Sequence, residues 1–167
     1  MSAADNSQTL GSPDSRLTRR RPRWCNRRMA YVLAKTDPDG YSIDDLERDG
    51  VTTWDGVRNA QAIGVIRSMT VGDTVLIYHS MGQAAIVGVA EVVSDPRPDP
   101  NVAGSWTVDV RFVRRLPAPV TLREIKETGR FDDWSLIRQS RLSTMAVPED
   151  VVTWLRERGV WVPSEEG

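Results

Sequence analysis

Two short clusters in this sequence carry side chains suited to holding a flat, hydrogen-bonding ligand. One is Trp54-Asp55-Gly56-Val57-Arg58-Asn59 and the other is Tyr78-His79-Ser80. An indole is a stacking platform worth about 1–3 kcal/mol per base. Arg58 and Asn59 have the donors and acceptors that read a base edge or hold a phosphate. Lys35, one of only two lysines, follows an apolar run directly, and Arg141 sits in the donor-dense stretch Arg138-Gln139-Ser140-Arg141-Leu142-Ser143. Each group also has a plainer reading. Trp54 suits a core, Arg58 an ion pair with Asp55, His79 a hydrogen bond at a strand end, and Lys35 a solvated strand terminus.

Bond-breaking chemistry is harder to write with these residues. His79 is the only histidine. A Ser-His-Asp triad would have to use Ser80 or Ser143, and no G-x-S-x-G elbow is present. One His and one Cys cannot supply the usual metal-ligand sets. The single cysteine, Cys25, also excludes an internal disulfide and fits a reducing cytoplasm. Neither phosphate-loop pattern occurs. The expectation is therefore a binding site without metal, cofactor or catalytic residue.

A chain of 167 residues with 40% hydrophobic and 27% charged residues is the size and composition of one globular domain. No apolar run approaches the roughly 20 residues of a membrane helix, so no membrane partner is expected. The net charge of -1 hides an uneven distribution. Residues 1–28 hold seven Arg against two Asp, which leaves the remainder acidic. Nucleic acid would then have to be met through a local pocket rather than through a generally basic surface. Residues 1–28 are polar and Arg-rich with no hydrophobic period, and they read as a disordered leader. Met29, just before the first patterned residue, is a candidate start. The domain is expected over 29–160, with a tail at 161–167.

The elements that must position the clusters can be taken in order. Tyr31–Thr36 reads as a strand closed by Pro38. Ser42 and Asp45 form a capping box for a helix ended by Gly50, with Tyr41 placed to staple onto Leu46. Val51-Thr52-Thr53 reads as a polar turn. Ala62, Val65, Ile66 and Met69 make one face of a helix over 59–69, and Gly64 within it suggests a close packing contact. Strands are expected over 73–79, 84–93 (with a bulge or bend at Gly88) and 105–116. The proline-rich span 95–101 between the last two reads as a stiff surface loop. Thr121 and Glu124 form a second capping box before Gly129, and a last helix starts with Pro148 at its first position. Trp106 and Trp134 are expected in the core. The whole reads as an α+β domain around a curved, mostly antiparallel sheet or small barrel flanked by helices.

The ordered set WDGVRNAQA, M-x-V-G-D, YHS, IVGVAEVV, WTVDVRFVR and SRLS resembles the EVE domain family over about Ala30 to Trp154. The resemblance implies a PUA-like fold and a reader of modified nucleic-acid bases. Modified cytosine in DNA is the leading ligand class and modified RNA the other. A flipped base would enter a pocket, stack on aromatic walls and be read on its edge. Trp54, Gly56, Arg58 and Asn59 match WDGVRN. Tyr78, His79 and Ser80 match YHS, and Lys35 matches the Lys of the family's K-S-E-P, here Lys35-Thr36-Asp37-Pro38. Ala60 stands where the family commonly has an aromatic, and Val32 where it usually has a Trp. On this reading Trp54 stacks, Asn59 and Ser80 bond the base edge or backbone, and Arg58 or Arg141 meets phosphate. Related ASCH proteins include small amidohydrolases acting on acylated cytidine. The alternative is thus an enzyme using Lys35, Thr36 and Glu91 on a modified nucleoside. A module for a protein tail is a third reading.

Overall fold

The computed structural model describes residues 29–160 and 162–163. The expectations for residues 1–28 and for most of the tail lie outside that range. Val162 is buried, and the Pro163 carbonyl accepts a 2.7 Å hydrogen bond from the Tyr31 hydroxyl.

The chain runs β1 (Tyr31–Thr36), α1 (Ile43–Asp49), β2 (Val51–Trp54), α2 (Ala60–Ser68), β3 (Thr74–His79) and β4 (Ala85–Val92). It continues through β5 (Arg97–Pro98), β6 (Trp106–Thr121), α3 (Leu122–Glu127), α4 (Ser135–Arg138), β7 (Thr144–Ala146) and α5 (Glu149–Glu157). The strands form one sheet in the order β2-β6-β4-β3-β1-β7, with β5 paired to β6. All pairings are antiparallel except β1 with β3. That parallel pair requires a crossover, which α1, β2 and α2 supply. The sheet curls into a half-barrel whose edge strands, β2 and β7, approach each other. The Trp54 indole N–H donates to Thr144 Oγ1 at 3.1 Å and joins the two edges.

Local signals explain most boundaries. Ser42 and Asp45 make the reciprocal capping box of α1, and Gly50 ends it with φ 75°. Thr121 and Glu124 do the same for α3. Between Ile86 and Gly88 the pairing of β4 with β6 shifts register. A Cβ at Gly88 would lie 2.5 Å from Ile43 Cδ1 and 3.1 Å from the Arg114 carbonyl oxygen, so the missing side chain lets α1 sit directly on the sheet.

Several expectations are corrected. Val51–Thr53 is not a turn but most of β2, because β6 offers it an antiparallel partner from Val108 to Arg111. Gly64 is exposed with nothing near its Cβ position, so it marks no packing contact. The span 95–101 includes β5 and a buried Asp99. Strand β6 continues to Thr121 through exposed Pro117 and Pro119, across the irregular stretch of its pairing with β4. A proline gives up no ladder bond there. Pro148 caps α5 from outside rather than occupying its first turn. The short β7 carries no period of its own, and only its pairing with β1 reveals it. Trp134 is in the core, whereas Trp106 is half-buried beneath the Arg67 guanidinium, 4.9 Å from its ring.

Candidate functional site

Side chains alternate along a strand, and directly paired residues share a face. Lys35 pairs with Tyr78 and Thr36 with His79. The two motifs at the ends of β1 and β3 are therefore divided between opposite faces of the sheet. Thr36 and His79 share the face of Ala34. Thr144 pairs with Ala34 and receives the Trp54 indole, so that face also holds Trp54.

A cavity of about 570 Å³ opens on this face. Its walls come from Thr36 and Asp37 at the end of β1, Gly40 and Tyr41 before α1, and Thr52–Asp55 along β2. Two aromatic rings, Tyr41 and Trp54, contribute to it. Tyr41 reads in the sequence as a packing staple, and its role in the wall becomes visible only when the α1 entry is laid beside β2. The volume lies within the 300–1,000 Å³ typical of ligand pockets. A second depression of about 610 Å³ lies between Gln83, Thr121 and Lys126. It is shallow and mostly apolar, and it contains none of the sequence-identified residues, so size does not select it.

Most polar side chains in the cavity wall are already engaged. The Trp54 N–H is held by Thr144. The Tyr41 hydroxyl donates to Asp49 at 2.9 Å, and burial first, then Asp49, raises its pKa above the ordinary tyrosine value. The Thr53 hydroxyl donates to Asp109 at 2.8 Å. Thr52 lies near enough to the Tyr41 phenol to oppose that rise in pKa. Among the wall's buried hydroxyls the exception is Thr36, which is 9% exposed. Its carbonyl is clamped by the Ser80 amide at 2.9 Å and the Ser80 hydroxyl at 3.1 Å. Its own Oγ1 is buried with no hydrogen-bond partner. Leaving such a hydroxyl unsatisfied costs about 1–3 kcal/mol. Asp37 and Asp55 place carboxylates at the exposed part of the wall.

His79 holds the cavity's other wall in place. Its Nε2 accepts the Ile43 backbone N–H at 3.1 Å, tying the start of α1 to the end of β3. This requires the tautomer protonated on Nδ1. Burial lowers its pKa, with Arg115 assisting and Asp44 opposing, so the ring is held neutral. Ser80 is exposed and acts through the Thr36 carbonyl.

On the other face, Tyr78 is 3% exposed and belongs to the core. Lys35 Nζ lies 5.8 Å from the centre of the Tyr78 ring and donates to the Ser140 carbonyl at 3.1 Å. Burial lowers its pKa. Arg141, next to Ser140, is exposed.

The remainder of the WDGVRN cluster is largely architectural. Gly56 has φ 70° and donates its N–H to Asp99 at 3.0 Å. Asp99 also accepts from the Asn101 amide at 2.7 Å. These two backbone bonds, Asn101 first, and the nearby Arg58 charge lower the Asp99 pKa. Arg58 is exposed and acts on Asp99 rather than pairing with Asp55. Asn59 caps α2, its Oδ1 accepting from the Gln61 and Ala62 amides at 2.8 and 3.1 Å. Only its amide NH₂ is left to face outward.

The alternative set Lys35, Thr36 and Glu91 is not assembled. Glu91 pairs with Thr74 and Lys35 with Tyr78, four residues apart along β3, or about 13 Å. The Glu91 carboxylate is instead engaged by Arg111. Among the described residues no group of His, Cys, Asp and Glu could hold a metal, and no helix is long and apolar enough to cross a membrane.

The fold and its sequence can be set beside known proteins. Thymocyte nuclear protein 1 of Rattus norvegicus is 29% identical over 163 residues, covering 75% of this chain and 72% of that protein. The crystal structure of Atu2648 from Agrobacterium tumefaciens aligns with a TM-score of 0.75 at 31% identity, over 83% of this chain and 99% of that one. The human THYN1 protein, crystallised in complex with 5-methylcytosine-containing DNA, aligns with a TM-score of 0.70 at 25% identity, over 80% of this chain and 99% of that one. The half-barrel with flanking helices is the PUA-like architecture these neighbours share. The EVE domain family model matches residues 30–158, nearly everything the structure describes, and the chain belongs to that family.

Proposed function

We propose that this chain is a non-catalytic binding module that takes a modified base of a nucleic acid into the cavity between Tyr41 and Trp54, with modified cytosine in DNA as the leading ligand. The observation that carries the reading is a base-sized cavity with two aromatic rings in its walls, in a chain whose human relative was crystallised with 5-methylcytosine-containing DNA. Rings of this kind hold a flat base by its faces. A base inside a duplex must be flipped out, or presented in a single strand, to reach such a site.

The charge distribution suits a divided task. Asp37 and Asp55 at the cavity repel phosphate, so the sugar-phosphate chain stays outside. Arg58 and Arg141, both exposed, are the cations for it, as forks on phosphate oxygens. Phosphate contacts position the strand, and the cavity supplies the selectivity.

The experiment is a titration of the full chain with matched oligonucleotides, DNA and RNA, that differ only in methylation of one cytosine. Tryptophan fluorescence and anisotropy are read at two salt concentrations. A preference for the modified DNA strand that survives at higher salt is expected. Equal binding of all strands, collapsing with salt, would reduce the site to backbone attraction. A preference confined to the RNA pair would move the ligand class to modified RNA.

A further inference from the structure

The cavity's polar groups are arranged with a chemical sense. The wall offers two carboxylates as acceptors, Asp55 and Asp37, the latter with one oxygen already accepting the Asp39 amide at 3.0 Å. The side-chain donors of Tyr41, Thr53 and Trp54 are spent on Asp49, Asp109 and Thr144. Thr52 lies near the Tyr41 phenol. Thr36 has the one buried hydroxyl of the wall without a partner, on a residue that is 9% exposed and whose carbonyl is clamped by Ser80.

Resting on the base-reader reading above, we propose that Thr36 is a specificity-determining residue. Its hydroxyl donates to a ring acceptor of the base, while the wall's carboxylates accept from an adjacent amino group. The ligand edge that fits is an amino group beside an unprotonated ring nitrogen. Cytosine-type bases present that edge, and carboxylates are the usual acceptors for their N4 amino group. Thymine has the same ring and the same 5-methyl group but presents an oxygen where cytosine presents its amino group. The wall's carboxylates repel that oxygen, so thymine does not seat against Thr36 even though the hydroxyl could turn to accept its ring N–H. The hydroxyl is buried and without a partner in the free protein, and the base satisfies it once a small shift of the wall uncovers it.

Among the described residues, Thr107 is the other threonine whose buried Oγ1 has no partner. It lies on β6 opposite Arg97 of β5 and does not line this cavity. It is an internal control, because both residues carry the same structural defect and only one faces a ligand site.

The test uses the full chain and three single-stranded DNA oligonucleotides that carry 5-methylcytosine, cytosine or thymine at one position. Wild type should bind the 5-methylcytosine strand at least about tenfold tighter than the thymine strand. Thr36→Val should weaken 5-methylcytosine binding by about tenfold, the scale of one hydrogen bond. It should leave thymine binding unchanged and unfold at no lower temperature than wild type. Thr36→Ser should keep the affinity within about threefold, and Thr107→Val should leave every affinity unchanged. Wild-type-like binding by Thr36→Val, or a clear loss of thermal stability in Thr36→Val but not in Thr107→Val, would overturn the role of Thr36. If wild type prefers the methylated over the unmethylated strand but does not separate 5-methylcytosine from thymine, the edge assignment falls and the base-reader reading stands. If wild type separates none of the three, the base-reader reading falls and this inference with it.

Discussion

The two faces of the β1–β3 pair carry residues that adjoin in sequence but do different work. On the face of Thr36 and His79, the sheet is held back from full packing. Gly88 admits α1, the His79 ring fixes its first turn, and the space between α1 and β2 stays open. On the face of Lys35 and Tyr78, the packing is closed. Tyr78 is in the core, and the ammonium lies against its ring and the Ser140 carbonyl. One strand step separates the cavity wall from a structural anchor. The consecutive side chains of a motif such as Tyr-His-Ser must face opposite ways, so they cannot all line one cavity.

The largest effect expected from breaking this division is at Trp54. Its indole both lines the cavity and joins the edges of the half-barrel, so Trp54→Ala should lower stability and base binding together. Trp54→Phe separates the two roles. It keeps an aromatic wall but gives up part of the indole's packing and leaves the buried Thr144 hydroxyl without its indole donor, costing about 1–3 kcal/mol in denaturant unfolding while most of the base affinity survives. If Trp54→Phe binds as poorly as Trp54→Ala, the indole is more than a stacking surface.

Gly88→Ala attacks the open face from beneath. The added methyl meets the Ile43 side chain, which can move, and the Arg114 carbonyl, which cannot move without its strand. The expected cost is about 1–3 kcal/mol, read as a lower thermal midpoint. Base affinity should fall as well, because α1 carries Tyr41 with it. Unchanged binding in a folded Gly88→Ala would show that the Tyr41 wall does not depend on the seat of α1.

Substitutions on the closed side should act differently. Arg141→Ala should weaken binding of methylated and unmethylated strands alike, and it should reduce the slope of log affinity against log salt by about 0.7–0.9, one phosphate contact. A loss confined to the methylated strand would place Arg141 at the base instead.

The smallest effect is that of pH. The His79 pKa is lowered in the folded protein, so the unfolded chain binds its proton more readily. The contribution of this group to stability is fully present above its ordinary value of about 6.5 and is lost as pH falls through the lower folded value. Protonation also removes the Nε2 acceptor from the Ile43 amide. His79→Gln should flatten the part of the stability–pH profile that lies just below pH 6.5. An unaltered profile would mean that another group controls that limb.

The residues of this chain determined its local structure almost wherever a single side chain can satisfy a backbone group or a period can be read. The capping boxes at Ser42 and Thr121 and the strands around Leu33, Leu76 and Val89 all follow from patterns within a few residues. The ordered motifs identify the family for the same reason. Tertiary structure decided what no local window contains. It made Val51–Trp54 a strand because β6 lies alongside, and it made Thr144–Ala146 a strand because β1 does. It spent the Asn59 acceptor on α2, and it turned Lys35 and Thr36 to opposite faces. It also set Tyr41 across from Trp54 and left the Thr36 hydroxyl without a partner in the wall between them. Hydrogen-bond satisfaction and cavity shape depend on which distant segments meet, and only the closed half-barrel settles that.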